Sequence, residues 1–413
     1  MNSNAVNDAA ATAERAAGPP PVAPQTAAAL ARMMAAVGFS VVQFWLVVPL
    51  TSLVLANRGI GAGSIGLFAM MPWLAVLLLV PAIPRMVDRV GALTVFRAGM
   101  VLAFAAMMLF LSTDNLTLWF AANFLNGAGN ALRWVVSDAL IAGMAPPTRR
   151  GRILGIYESV LGACLLAAPF LLALTGSDGA LPFALAAALP LLAILPTVGL
   201  QTPRLSTPAV RPAQLRGIAA RHALPLLTIL LCGIVACGSY SLFPVYGRGL
   251  GLTEREAALW MALFGGGAVA CQYLIGWLCD HWRRDLVHRA LVGIVAGGLL
   301  LLPWLDVGNP SFWVFNFVFG GAVTGLYTIT MILAGSAARQ GELLPLITAV
   351  TLSYTIGSIA GPALGGWALE TMPSHGLPMS LAVASLAVIA AMAALRRRPA
   401  RVSQAALQAL PPQ

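Results

Sequence analysis

The sequence predicts an all-α membrane protein, with twelve transmembrane helices set in two pseudo-symmetric six-helix halves. Three observations carry that expectation: apolar runs long enough to span a bilayer, an alternation in where the arginines fall, and an internal repeat.

Of the 413 residues, 59% are hydrophobic and only 9% are charged, where a soluble domain carries about a quarter charged residues. Apolar stretches recur from Leu30 to Leu395 with short polar punctuation between them. Each is long enough to cross a hydrocarbon core of roughly 30 Å as a helix. Only helices and closed barrels satisfy their backbone in lipid, and the absence of period-two alternation selects helices. The expected spans are 32–56, 62–84, 91–113, 116–144, 151–174 and 180–200, then 223–246, 254–279, 286–304, 311–337, 345–370 and 376–395.

The chain has no lysine, so its 24 basic residues are all arginine. Most fall at the ends or in every second connection, as do Arg85, Arg89 and Arg97, then Arg149, Arg150 and Arg152, then Arg204, Arg211, Arg216 and Arg221. The alternate connections hold only Arg58, Arg248 and Arg255, and Arg133 lies inside an apolar run. Such a positive-inside bias predicts cytoplasmic termini, an even number of spans and, for this chain, a bacterial inner membrane. The net charge of +10 is then expected to face membrane lipid, and no nucleic-acid partner is expected.

The repeat runs at an offset of 190–193 residues. Asn57-Arg58-Gly59-Ile60-Gly61 recurs as Gly247-Arg248-Gly249-Leu250-Gly251, and Asp88 recurs as Asp280. Asn123-Phe124 with Gly127 recurs as Asn316-Phe317 with Gly320, and Pro169 as Pro362. Parallel halves of this kind are a transporter design, with the substrate path between them. The expected division is a disordered cytoplasmic arm over 1–31, rich in alanine and proline, a first half over 32–200, a cytoplasmic linker over 201–222, a second half over 223–396 and a cytoplasmic tail over 397–413. Five cysteines sit in or at the end of apolar runs and read as small core residues, with no disulfide framework and no metal site.

Twelve spans with paired aspartate turns resemble the major facilitator superfamily over residues 32–396. The family's loop signature after span two appears as Asp88-Arg89-Val90-Gly91, with Pro84 where the leading glycine is usual. The second copy supplies Gly276, Asp280, Arg283 and Arg284. The resemblance implies that Asp88, Arg89, Gly91, Gly276, Asp280, Arg283 and Arg284 are gating elements tying the halves together in one state. A short turn between helices also favours aspartate for itself. Asn123 stands where many proton-coupled members carry an arginine, and Arg133 follows ten residues later. The antiporter signature expected in span five is only hinted at by Gly162 and Ala168-Pro169, and its full form sits in span eleven as Gly361-Pro362 with Gly365-Gly366. These departures leave the direction and the coupling ion open. Arg149-Arg150-Gly151-Arg152 before Gly155, Tyr157 and Glu158 resembles the family's entry into span five.

An ionisable residue in lipid costs roughly 2.5–3.5 kcal/mol, so its presence needs a reason. Arg133 and Asp138 share span four, and Glu158 lies at a depth similar to Asp138 on span five. The three form a charge cluster in which a carboxylate can carry a proton, or else the acids latch helix ends to Arg89, Arg149 or Arg150. Asn126, Asn130, Arg133 and Ser137 recur at helical spacing on one face, which is expected to meet a water-filled cavity. Gln43 and Trp45 of span one, and Gln272 and Tyr273 of span eight, are further candidates to line it. Gly357, Gly361 and Gly365, with Pro362, are expected to pack helices closely.

A P-loop needs a lysine, so an ATP-driven pump is excluded within this chain. The four histidines are scattered at helix ends, which argues against a membrane enzyme. The expected function is therefore secondary active transport of a small organic solute by a monomer, with no cofactor and a proton gradient as driving force. Proton-coupled efflux of amphipathic compounds, uptake of a small anionic nutrient with Arg133 as counter-charge, and a non-transporting receptor or sensor are the readings carried forward.

Overall fold

The apolar runs fold as helices. A computed structural model of the protein describes residues 27–146, 149–203, 212–337 and 342–397. Among these residues there are fourteen α-helices and no strand. The first half holds α1 (Ala27–Asn57), α2 (Ala62–Leu79), α3 (Ile83–Val90), α4 (Ala92–Ser112), α5 (Leu116–Met144), α6 (Arg150–Thr175) and α7 (Leu181–Ile194). After α8 (Pro212–Arg221) come α9 (Ala223–Gly249), α10 (Glu254–His281), α11 (Arg284–Leu301), α12 (Pro310–Ala337), α13 (Leu343–Thr371) and α14 (Gly376–Arg397).

Among the described residues, ten helices are long and apolar enough to cross a membrane. The two remaining expected spans fall on α5, whose polarity comes from Asn123, Asn126, Asn130 and Arg133, and on the short α7, which a 3-10 turn extends to Thr197. The count is consistent with twelve crossings. Four boundaries differ from expectation. The second span ends at Leu79, Pro81 lies in the turn that follows and Pro84 in the first turn of α3, so Asp88 and Arg89 ride on a separate short helix. A proline lacks the N–H that would continue the helix. The first helix begins at Ala27, inside the expected arm. Arg397, expected in the tail, ends α14, and the linker carries α8. Residues 1–26 of the arm, 204–211 of the linker and 398–413 of the tail lie outside the described residues.

Packing repeats between the halves. In the first, α2 and α4 pack on α5, and α1 packs on α6 and α7; in the second, α10 and α11 pack on α12, and α9 packs on α13 and α14. Across the middle α2 meets α13, α6 meets α10, and α1 meets α9. The repeat extends to single contacts. A Cβ on Gly127 would overlap the backbone of Pro72, and one on Gly320 would overlap the backbone of Phe264. Both halves therefore use the same glycine position to let the same pair of helices touch.

The two ends of the bundle differ. At the end distal to Ala27 and Arg397, three hydrogen bonds to side-chain carboxylates run between the halves among the described residues. Glu254 accepts from Asn57 Nδ2 at 2.6 Å and from Ser177 Oγ at 2.7 Å, and Glu370 accepts from the Gly63 N–H at 2.8 Å. Just inside, Gly66 of α2 and Gly366 of α13 cross so closely that a Cβ on Gly66 would overlap the Pro362 carbonyl oxygen. At the opposite end Asp88, Arg89, Asp280, Arg283 and Arg284 are exposed and form no ion pair among the described residues. Gly91, with φ +85°, turns α3 into α4, and Gly276 faces open space. Arg32 and Arg97 turn inward there to cap the end of α7. Arg97 donates to Thr197 Oγ1 at 2.9 Å and to its carbonyl, and Arg32 to the carbonyls of Pro196 and Val198.

Candidate substrate-binding cavity

A cavity of about 200 Å³ lies where α1, α2, α5, α6, α10, α12 and α13 meet, so both halves line it. Its charged groups are Arg133, Asp138 and Glu158. Arg133 is only 6% exposed. One of its terminal nitrogens donates to Asn130 Oδ1 at 2.5 Å, and its Nε has no partner. No carboxylate pairs with it among the described residues. Asp138 accepts from the Tyr157 hydroxyl at 2.7 Å. The side chains of Asp138 and Glu158 are both left uncovered by the surrounding helices.

Aromatic rings line the same cavity. Trp73, Trp134 and Tyr354 stand nearly perpendicular to one another, with centroids 5.7–6.4 Å apart. Tyr327 meets Tyr354 edge-on at 6.0 Å, and Phe44 meets Trp73 at 5.9 Å. Such T-shaped pairs hold each ring in place by quadrupole as well as by area.

The polar stripe on α5 divides between two environments. Asn130 and Arg133 line the cavity, whereas Asn126 accepts from Gln43 Nε2 at 3.0 Å, tying α5 to α1 in the buried interior. Ser137 is buried too, donating to the Trp134 carbonyl at 3.0 Å and sitting 3.3 Å from the Tyr157 hydroxyl. A stripe on a long helix passes more than one neighbour, and each neighbour takes a share. Gln272 and Trp45 line the cavity, Gln43 does not, and Tyr273 is 83% exposed on the outer face. Asp138 and Glu158 form no ion pair with Arg89 or Arg149; the Arg150 side chain lies outside the described residues. Gly357 and Gly361 pack on α9 at Leu230 and Ile234, while Gly365 faces Leu242 and Leu377.

Sequence reasoning passed over Trp73, Trp134, Tyr327 and Tyr354 and took Tyr157 only as part of a motif. The available signal was Trp134 beside Arg133, and Tyr354 on the helix face of Ser358 and Gly361. A hollow of about 390 Å³ between α6, α10 and α12 is almost wholly apolar, and its one carboxylate, Glu256, is spent capping α10 at Thr253.

The sequence model described as Major Facilitator Superfamily matches residues 33–342 and again 226–411. The chain belongs to this family. The two matches begin 193 residues apart, within the repeat offset. An uncharacterised MFS-type transporter of Enterobacter sp. (strain 638) is 29% identical over 68% of this chain and 72% of its own length. A second, of Yersinia pestis (strain Pestoides F), is 25% identical over 76% of this chain and 81% of its own. Among solved structures, the nucleoside transporter NupG superposes with a TM-score of 0.71 at 13% identity, over 91% of this chain and all of its own. A D-xylose–proton symporter gives 0.67 at 15%, over 87% and 96%. At such identities the likeness is one of fold. The protein is therefore a multi-pass membrane transporter of the superfamily, which is compatible with its not being an enzyme.

Proposed function

We propose that the protein moves a small organic solute across the inner membrane by alternating access, as proton-coupled efflux of amphipathic compounds. The observation that supports this best is the central cavity, which draws an aromatic wall from both halves and holds two carboxylates in the same lining. An aromatic wall suits an amphipathic solute, and Asp138 and Glu158 are the groups that take up and release the proton. The arginine asymmetry puts the termini in the cytoplasm. The distal seal then lies on the periplasmic side, and the cavity belongs to a state open inward. Asp88, Arg89, Gly91, Gly276, Asp280, Arg283 and Arg284 are the gating elements that close the cytoplasmic side in the opposite state. The protein works as a monomer in contact with membrane lipid, with the proton gradient as its driving force and no cofactor.

Uptake of a small anionic nutrient is the second reading, favoured by the unpartnered Nε of Arg133. Flux in reconstituted vesicles under an imposed pH gradient, across organic anions and lipophilic cations, tests both. Solute movement against the proton flow supports efflux, and movement with it supports uptake. Asp138→Asn and Glu158→Gln are expected to abolish the pH-gradient dependence; if neither does, the coupling assignment fails. Saturable binding without flux would instead make the protein a receptor or sensor.

A further inference from the structure

Arg133 and the aromatic wall constrain the ligand beyond its being amphipathic. A guanidinium does not give up its proton in a protein, so its charge must be met by something else. Its nearest bonding partner, Asn130, is neutral, and Nε is left without an acceptor in a site only 6% exposed. The carboxylates of Asp138 and Glu158 differ in kind, since each is left uncovered by the surrounding helices and a carboxyl group can become neutral by taking a proton. The one charge in the cavity that can be neither hydrated freely nor discharged is positive.

A planar guanidinium with spare donors matches a carboxylate, which it grips through two parallel hydrogen bonds. Beside it the Trp73, Trp134 and Tyr354 rings meet one another edge to face at 5.7–6.4 Å. All three rings line the cavity, which offers ring surface to a flat apolar body, while the fixed positive charge of Arg133 disfavours a cation there.

We infer that the cavity binds a planar aromatic carboxylic acid as its anion, the carboxylate on Arg133 and the ring against Trp73, Trp134 and Tyr354. The inference rests on the transport reading only in taking the cavity for the solute site, and it holds for either direction of movement.

The test is equilibrium binding of tritiated 2-naphthoate to the full-length protein in lipid nanodiscs, with 2-naphthamide and (2-naphthyl)trimethylammonium as competitors. Saturable binding is expected, with both competitors at least about five-fold weaker than unlabelled acid. Arg133→Gln should bring acid and amide to equal strength, Arg133→Lys should regain part of the preference, and Trp134→Ala should weaken both alike. Where Arg133→Gln does not fold, the acid-to-amide ratio of the unaltered protein decides. No saturable binding of 2-naphthoate, or a smaller margin over either competitor, overturns the inference. A clear preference for the acid with no gradient-driven flux removes the transport reading and leaves the ligand class. Flux of another solute without that preference does the reverse.

Discussion

The side-chain amide of Asn123 donates to the carbonyl oxygen of Phe68 at 2.8 Å. Pro72 lies inside α2 and has no N–H to offer the carbonyl four residues before it, so α5 supplies the missing donor. An orphaned buried carbonyl costs about 1–3 kcal/mol. Asn123→Leu should therefore destabilise by about that amount and do so less in a Pro72→Ala background, where the backbone donor returns. Thermal unfolding in detergent of the two single variants and the double variant measures the difference; equal losses in both backgrounds would show that the bond repairs nothing.

The Gly66–Gly366 crossing predicts intolerance of the smallest side chain. Gly66→Ala pushes a methyl group into the backbone of α13 and should cost about 1–3 kcal/mol. Gly155→Ala, at a position with open space around it, should cost no more than about 0.5 kcal/mol. Denaturant midpoints of the two variants decide, and comparable shifts would mean the crossing relaxes freely.

The distal seal predicts a change in access. Removing both acceptors, Glu254→Ala with Glu370→Ala, should raise labelling of Tyr240→Cys from the distal side by about ten-fold, measured with an impermeant maleimide in a chain lacking its native cysteines. Tyr240 is suitable because it is buried, only 3% exposed, against Trp45 of the other half. Unchanged labelling would place the seal in the helix crossing alone.

The arginine caps predict that two arginines at the same end of the bundle differ in kind. Arg97→Ala should lower stability by about 1–2 kcal/mol, because it uncaps the negative end of α7. Arg89→Ala should shift it by less than about 0.5 kcal/mol, since Arg89 is exposed and holds no ion pair. Melting temperatures of the purified variants report both; equal shifts would contradict the cap.

Much of this architecture was legible in the sequence, because lipid imposes length and polarity on every span and duplication prints the same glycine twice. The offset joining Gly127 to Gly320 anticipated a packing contact, not merely a resemblance. The division of roles along α5 was not legible. Helical spacing puts Asn126 and Arg133 on one face, but only the neighbours decide that Asn126 meets Gln43 while Arg133 meets a cavity. The aromatic wall stayed hidden for a related reason: Trp73, Trp134 and Tyr354 come from three helices, and nothing local distinguishes them from tryptophans and tyrosines that pack or face lipid. The break at Pro81 was visible as composition, yet an apolar run with two prolines reads equally as a kinked span.

The three bonds of the distal seal act together with the Gly66–Gly366 crossing to hold that end of the bundle closed. Each ends on a carboxylate, and a bond to a charged group nets about 1.5–3 kcal/mol when buried and less where water reaches it, as at Glu370. The two bonds on Glu254 alone contribute about 3 kcal/mol at the lower limit, a factor of more than about a hundred. On the transport reading, a solute has to bind the opposite state more tightly by at least that factor to offset them.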